Sequence, residues 1–173
     1  MFGGRVSRKT WLISGTATAT AAAALVWLLW PDDHDEPRAR QYTAATACLL
    51  TPAAGVADHD TAPVWNGMQQ ASLATHGKVR YLAVNGDQTL ANAATYLATL
   101  AIGGCDVILA AGSAPAAAVD ANAATYPETR FVVVGTAQRH PNVTRVSEPD
   151  TATTTTTVRT LVTNALNAAA GGG

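Results

Sequence analysis

Phe131-Val132-Val133-Val134 passes without a polar residue and halts on Gly135. A strand with one wet face alternates polar and apolar residues. A run without alternation is buried on both faces, as in a parallel sheet covered by helices. Three further segments read as strands: TACLLT (Thr46–Thr51), VRYLAV (Val79–Val84) and CDVILAAG (Cys105–Gly112). A short fifth strand is expected at NVTRVS (Asn142–Ser147).

Segments of helical spacing separate these runs. Ala62–Thr75 sets Val64, Met68 and Ala71 on one stripe, and Thr89–Ile102 does the same with Leu90, Ala93, Ala94, Leu97 and Ala101. A third helix should begin with Ser113 as its cap and Pro115 in its first turn, and run to about Tyr126, where Pro127 stops it. Asp150 should cap a last helix carrying Val158, Leu161, Val162, Ala165 and Leu166, although the preceding threonine run has poor helix propensity. Strict alternation implies an α/β fold: a doubly wound five-stranded parallel sheet of order 2-1-3-4-5, with helices on both faces, forming a single lobe.

In that order the sheet reverses between strands one and three. A ligand crevice is expected there, built from the loops after Thr51, Gly112 and Gly135. The candidate ligand-binding positions are Thr51, Gly55, Asp58, Gly112, Ser113, Gly135 and Thr136. The loops hold little chemistry. The chain has no Gly-x-x-x-x-Gly-Lys-Ser/Thr, no Gly-x-Gly-x-x-Gly after a strand and no Gly-x-Ser-x-Gly elbow, which excludes the common nucleotide-binding and hydrolase signatures. A phosphoacceptor receiver domain would need an aspartate ending strand three, where Ala111-Gly112-Ser113 stands. Ser113 has no evident base, so helix capping explains it better than nucleophilic catalysis. Asp58-His59-Asp60 lacks a matching distant ligand for a metal, and Asp60 or Thr61 is expected to cap the following helix. His76 and His140 fall at element ends and read as surface residues. No enzyme activity, cofactor or metal is expected. A net charge of −1 over 173 residues argues against nucleic acid as a partner.

The N-terminus carries a different signal. WLISGTATATAAAALVWLLW (Trp11–Trp30) is uncharged over 20 residues, which as a helix spans about 30 Å, the thickness of a bilayer core. Arg5, Arg8 and Lys9 precede it, and Asp32, Asp33, Asp35 and Glu36 follow it. The basic side stays in the cytoplasm, so the remainder should be extracytoplasmic. A cleaved signal peptide is the rival. It is disfavoured because the most apolar block comes last and meets Pro31 and acids instead of a small-residue cleavage site. The expected division is a cytoplasmic basic segment (1–10), a single-pass plasma-membrane anchor (11–30), a linker (31–44) and the lobe (45–170).

Cys48 and Cys105 fall on the neighbouring first and third strands. An oxidising compartment permits a bridge between them. Cys48 stands three residues before the end of its strand and Cys105 seven before Gly112, an offset that disfavours bonding geometry and makes two buried thiols the simpler reading.

Between about Ala47 and Leu166 the chain resembles the basic membrane protein (BMP) family, the substrate-binding components of nucleoside-type ABC importers. Trp65-Asn66-Gly67, Asp106-Val107-Ile108, Tyr126-Pro127, Phe131 and Asn142-Val143 carry the likeness, in the family's order and spacing. The resemblance implies a periplasmic-binding-protein lobe that takes a small solute, with Thr51, Asp58, Gly112, Ser113 and Gly135 at the matching loop positions. Family members close ligand between two lobes, and the residues here match one. Their first loop also carries a base-stacking aromatic, whereas Gly55–Thr61 has none before Trp65. The expected partners are the membrane, a small solute, and a second copy or an ABC-transporter or sensor subunit. The alternative expectation is a cell-surface interaction or structural module that binds no small molecule.

Overall fold

The computed structural model describes residues 42–147 and 150–171. The expected cytoplasmic segment, the anchor at 11–30 and most of the linker lie outside them. Among the described residues no helix is long and apolar enough to cross a membrane.

Five strands form one sheet: β1 (Thr46–Thr51), β2 (Lys78–Ala83), β3 (Val107–Ala111), β4 (Arg130–Val134) and β5 (Val143–Val146). Their order is β2-β1-β3-β4-β5 and every neighbouring pair is parallel, as expected. Four helices are described: α1 (Ala62–Thr75), α2 (Leu90–Ile102), α3 (Ser113–Asn122) and α4 (Thr151–Ala170). Single 3-10 turns sit at Gly55–Ala57 and Ala123–Thr125.

The unalternating strands are buried on both faces. On one face Cys48, Leu50, Ile108, Ala110, Phe131 and Val133 meet Ala93, Leu97 and Leu100 of α2 and Ala114, Ala118 and Val119 of α3. On the other, Ala47, Leu49, Val107, Leu109 and Val132 meet Val64, Met68 and Ala71 of α1 and Val158, Val162, Ala165 and Leu166 of α4. Each fully buried Leu, Ile or Phe contributes about 1.5–3 kcal/mol, so these two layers dominate stability. Leu90 departs from its expected core stripe: it opens α2 at the sheet's edge and is exposed.

α1 and α4 approach closely because Gly67 has no side chain. A Cβ there would stand 2.6 Å from the Thr155 carbonyl oxygen and 3.0 Å from Val158. The Thr155 hydroxyl donates to the Pro63 carbonyl at 3.0 Å and fastens the same contact. The glycine of the Trp-x-Gly motif is thus a packing residue.

Asn142 organises the approach to β5. Its Nδ2 donates to the carbonyls of Ala123, Tyr126 and Thr129 at 3.0, 3.0 and 3.1 Å. α3 therefore ends at Asn122, and a 3-10 turn, not the expected longer helix, leads to Tyr126.

Cys48 and Cys105 are joined by a disulfide, with Cα atoms 5.9 Å apart. The expected offset had placed Cys105 on the third strand. That strand begins at Val107, and a turn at Gly104 (φ +76°) carries Cys105 off the strand line and over β1. The bridge spans a sequence separation of 57 and on the loop-entropy account stabilises by about 4 kcal/mol.

Substitutions at two positions test this packing. Gly67→Ala should lower stability by about 1–3 kcal/mol through overpacking, only partly offset by alanine's advantage of about 1 kcal/mol in helix propensity. A variant as stable as the parent in urea would contradict the close approach of α1 and α4. Asn142→Asp replaces a donor with a carboxylate facing three carbonyls and should cost more than Asn142→Ala, itself about 1–3 kcal/mol. Equal melting of the parent and both variants would remove Asn142 from this role.

Candidate functional site

All strands are parallel, so their carboxyl ends and the helix amino ends gather at one end of the sheet. A cleft of about 430 Å³ opens there. Its floor is Ala111-Gly112-Ser113 and Val134-Gly135-Thr136, continued by Val146-Ser147. His59, Asp60 and Pro63 form one wall, and Asp150, Thr151 and Thr154 at the start of α4 form another.

The two floor glycines are required. Gly112 has φ +95° and Gly135 φ +115°, a region that side-chain-bearing residues rarely adopt. A Cβ on Gly112 would also stand 2.6 Å from Pro52 Cγ, while one on Gly135 would meet nothing within 4 Å. Pro52 therefore covers the switch point between β1 and β3, and the cleft lies over β3, β4 and β5 instead.

This displacement sorts the expected residues. Gly112, Ser113, Gly135 and Thr136 line the cleft; Thr51, Gly55 and Asp58 do not. Thr51 is fully buried and its hydroxyl donates to the Pro52 carbonyl at 3.0 Å. Gly55 lies buried, and a Cβ on it would stand 3.6 Å from the Tyr81 ring. Asp58 acts one step back: its Oδ1 accepts from the Asp60 amide at 2.9 Å and shapes the loop that presents His59 and Asp60.

The expected caps differ as well. α3 begins at Ser113 itself, with Gly112 in the cap position, and the Ser113 hydroxyl makes no capping bond. It is exposed to the cleft. Thr61 holds the cap position of α1, yet its hydroxyl donates to the Gly55 and Asp58 carbonyls at 2.6 and 3.2 Å. Asp150 does cap α4, accepting from the Thr153 amide at 2.8 Å and the Thr153 hydroxyl at 2.9 Å. His140, expected at the surface, is half-buried, and its Nε2 has no partner among the described residues.

Val146, Ser147, Asp150, Thr151 and Thr154 were not among the expected site residues. The signal for them was present: the segment after the fifth strand must return to the carboxyl end of the sheet, and Asp150 was already readable as a cap. Restricting the crevice to the switch point left them out.

The cleft lining is mixed: Pro63, Ala111, Ala116, Val134 and Val146 are apolar, and hydroxyls, His59 and two carboxylates supply the polar groups. His59 Nδ1 lies 3.0 Å from Asp60 Oδ1, both largely exposed. The hydrogen bond to Asp60, and then its charge, raise the His59 pKa above the ordinary 6.5. Hydrogen bonds from Thr153 lower the Asp150 pKa below its ordinary 3.8. Arg145 reaches the rim beside Gly135, Thr136 and Ser147. Among the described residues the lining contains no Phe, Tyr or Trp; Trp65 and Tyr81 stack edge-to-face outside it, with centroids 5.5 Å apart. Among the described residues no group of three or more His, Cys, Asp or Glu side chains could hold a metal.

No protein-family model matches the sequence, and no curated protein matches it. Solved structures do resemble the lobe. A solute-binding protein of an ABC transporter system from Aeropyrum pernix K1 aligns with TM-score 0.50 and 21% identity over 58% of this chain. The chain spans 28% of that protein's length. A fragment of a "putative lipoprotein" from Peptoclostridium difficile 630 aligns with TM-score 0.59 and 14% identity, over 70% of this chain and 98% of the fragment. At these identities the likeness establishes the fold alone: a parallel α/β lobe that recurs within a solute-binding protein of an ABC transporter system and in a lipoprotein fragment.

The Asp150 cap gives a pH test. Its depressed pKa means that the ionised cap stabilises above pH 3.8, and that this contribution is lost as pH falls through the lower folded value. Asp150→Asn should therefore melt below the parent near pH 6, with the gap closing as pH falls below 4. A gap constant from pH 6 to 2.5 would show that the charge has no part in capping.

Proposed function

We propose that this chain is a solute-binding lobe of the kind found in the BMP family, anchored in the plasma membrane by residues 11–30 and placed outside the cytoplasm. In this reading it binds a small polar solute without transforming it, and the cleft face closes against a second copy or an ABC-transporter or sensor subunit. The observation that carries the reading is the cleft at the strand ends, whose volume lies within the usual 300–1,000 Å³ of small-molecule sites. Ser113, Thr136, Ser147 and Thr151 offer hydroxyls, and Asp60 and Asp150 offer carboxylates, for orienting such a solute. The described lobe supplies a floor and two walls and leaves the cleft open above, so affinity for free solute should be weak until a partner covers it.

A second reading rests on the lining's lack, among the described residues, of Phe, Tyr or Trp. Small-molecule pockets usually hold apolar and aromatic surface, whereas Gly135, where a Cβ would meet nothing within 4 Å, lets another backbone approach closely. On that reading the same face is a protein-interaction module and no solute binds.

Thermal-shift measurements separate the two. The full-length chain in detergent should be stabilised by at least one member of a panel of nucleosides, sugars and amino acids. Ser113→Arg should abolish that shift while leaving the unliganded melting temperature within about 2 °C, as expected of an exposed substitution. No shift across the panel, with self-association on cross-linking that Ser113→Arg removes, would favour the interaction module. Ser113 suits this test better than Gly112, where any side chain would collide with Pro52.

A further inference from the structure

The Cys48–Cys105 bridge is covered by a cation. Arg80, on the edge strand β2, is paired in register with Cys48. Its Nε donates to Cys48 Sγ at 3.2 Å and its Nη2 to Cys105 Sγ at 3.3 Å. Nη2 also donates to the Gly103 carbonyl at 2.7 Å. A Cβ on Gly103 would stand 3.0 Å from Nη2, so this glycine permits the approach.

Two features set this apart from an ordinary structural bridge. First, Arg80 forms no ion pair among the described residues. The nearest acid in sequence to the bridge, Asp106, turns its Oδ2 to the Thr46 amide at 2.7 Å, and Lys78, two residues before Arg80, adds a second positive charge on the same strand. A guanidinium directed at two sulfurs, neither of them charged, gains most when one becomes a thiolate. Second, the two residues differ in exposure, although both are buried. Cys48 is fully buried, whereas Cys105 is 7% exposed and follows the exposed turn Gly103-Gly104.

We propose that Cys48–Cys105 is a thiol–disulfide exchange site, reduced by a dithiol and poised by Arg80. The attacking thiolate bonds to Cys105 Sγ, the bond between the two cysteine sulfurs breaks, and its electron pair leaves on Cys48 Sγ. That thiolate forms against Arg80 Nε, and stabilising the leaving sulfur speeds the step. The second thiol of the dithiol loses its proton to solvent and attacks its partner sulfur in the mixed disulfide. Cys105 is released as a thiolate that takes up a proton. The dithiol ends as a disulfide and the protein's bridge as a thiolate and a thiol, two electrons having moved. Removing the cation should shift both rate and equilibrium, because a lowered thiolate pKa favours the reduced form.

The test uses the full-length chain in detergent with dithiothreitol, counting free thiols by alkylation and mass spectrometry. The parent should be reduced at a rate first-order in dithiothreitol, with its circular-dichroism spectrum retained. Arg80→Met keeps the aliphatic stem and should slow reduction about tenfold and shift the equilibrium about tenfold, or about 30 mV, towards the disulfide; Arg80→Lys should restore part of both. With glutathione as a single-thiol probe, the trapped adduct on the parent should lie on Cys105. A rate independent of dithiothreitol concentration and equal to global unfolding would overturn the proposal. So would Arg80→Met matching the parent, or an adduct on Cys48, and the last needs no variant to fold.

Discussion

Burial of the central strands on both faces is the constraint from which the rest follows. β1, β3 and β4 present Leu50, Ile108 and Phe131 to one layer and Leu49, Leu109 and Val132 to the other. Neither set can be left in water, so helices must cover both sides, and only crossover connections place them there. The crossovers make the sheet parallel, and parallel strands send every strand terminus to one end and every helix start to the same end. The cleft is a consequence of that arithmetic. Its polar groups come from the short loops left over, where Ser, Thr and Asp make turns and start helices, and its apolar surface from strand ends such as Ala111, Val134 and Val146.

The sheet order and most element boundaries were legible because they rest on period and punctuation. Val64, Met68 and Ala71 recur at helical spacing, Pro127 stands where the chain turns into β4, and Asp150 starts the last helix. Three features were hidden for physical reasons. Pro52 covering Gly112 is a contact between two loops 60 residues apart, and no local pattern encodes it. Cys105 leaving its strand depends on the positive φ of Gly104, which moves a side chain without altering the apolar pattern. The expected caps differ for separate reasons: Ser113 already lies inside its helix with Gly112 in the cap position, and the Thr61 hydroxyl donates to the Gly55 carbonyl at 2.6 Å. The site was half legible: Gly112, Ser113, Gly135 and Thr136 follow from topology, whereas the exclusion of Thr51, Gly55 and Asp58 follows from one proline ring.

The residues behind the BMP resemblance divide along similar lines. Gly67 permits α1 to meet α4, Asn142 gathers three carbonyls, and Phe131 fills the core. All three are scaffold residues and none lines the cleft. Motifs of this kind specify the packing of a lobe and leave the residues that line its cleft free to vary.

β1 joins the two chemically distinct regions. It is held near its middle by the bridge at Cys48 and at its end by Pro52 against Gly112, with Leu49 and Leu50 between them buried in opposite layers. Breaking the bridge removes no ladder hydrogen bond: β1 remains paired with β2 on one side and β3 on the other. Reduction therefore has a local outlet, the Gly103–Cys105 turn, which Arg80 holds through the Gly103 carbonyl. A fold whose register does not depend on its disulfide can cycle that disulfide without unfolding. The cleft, which lies over β3, β4 and β5 and takes no lining residue from β1, is fixed by separate contacts.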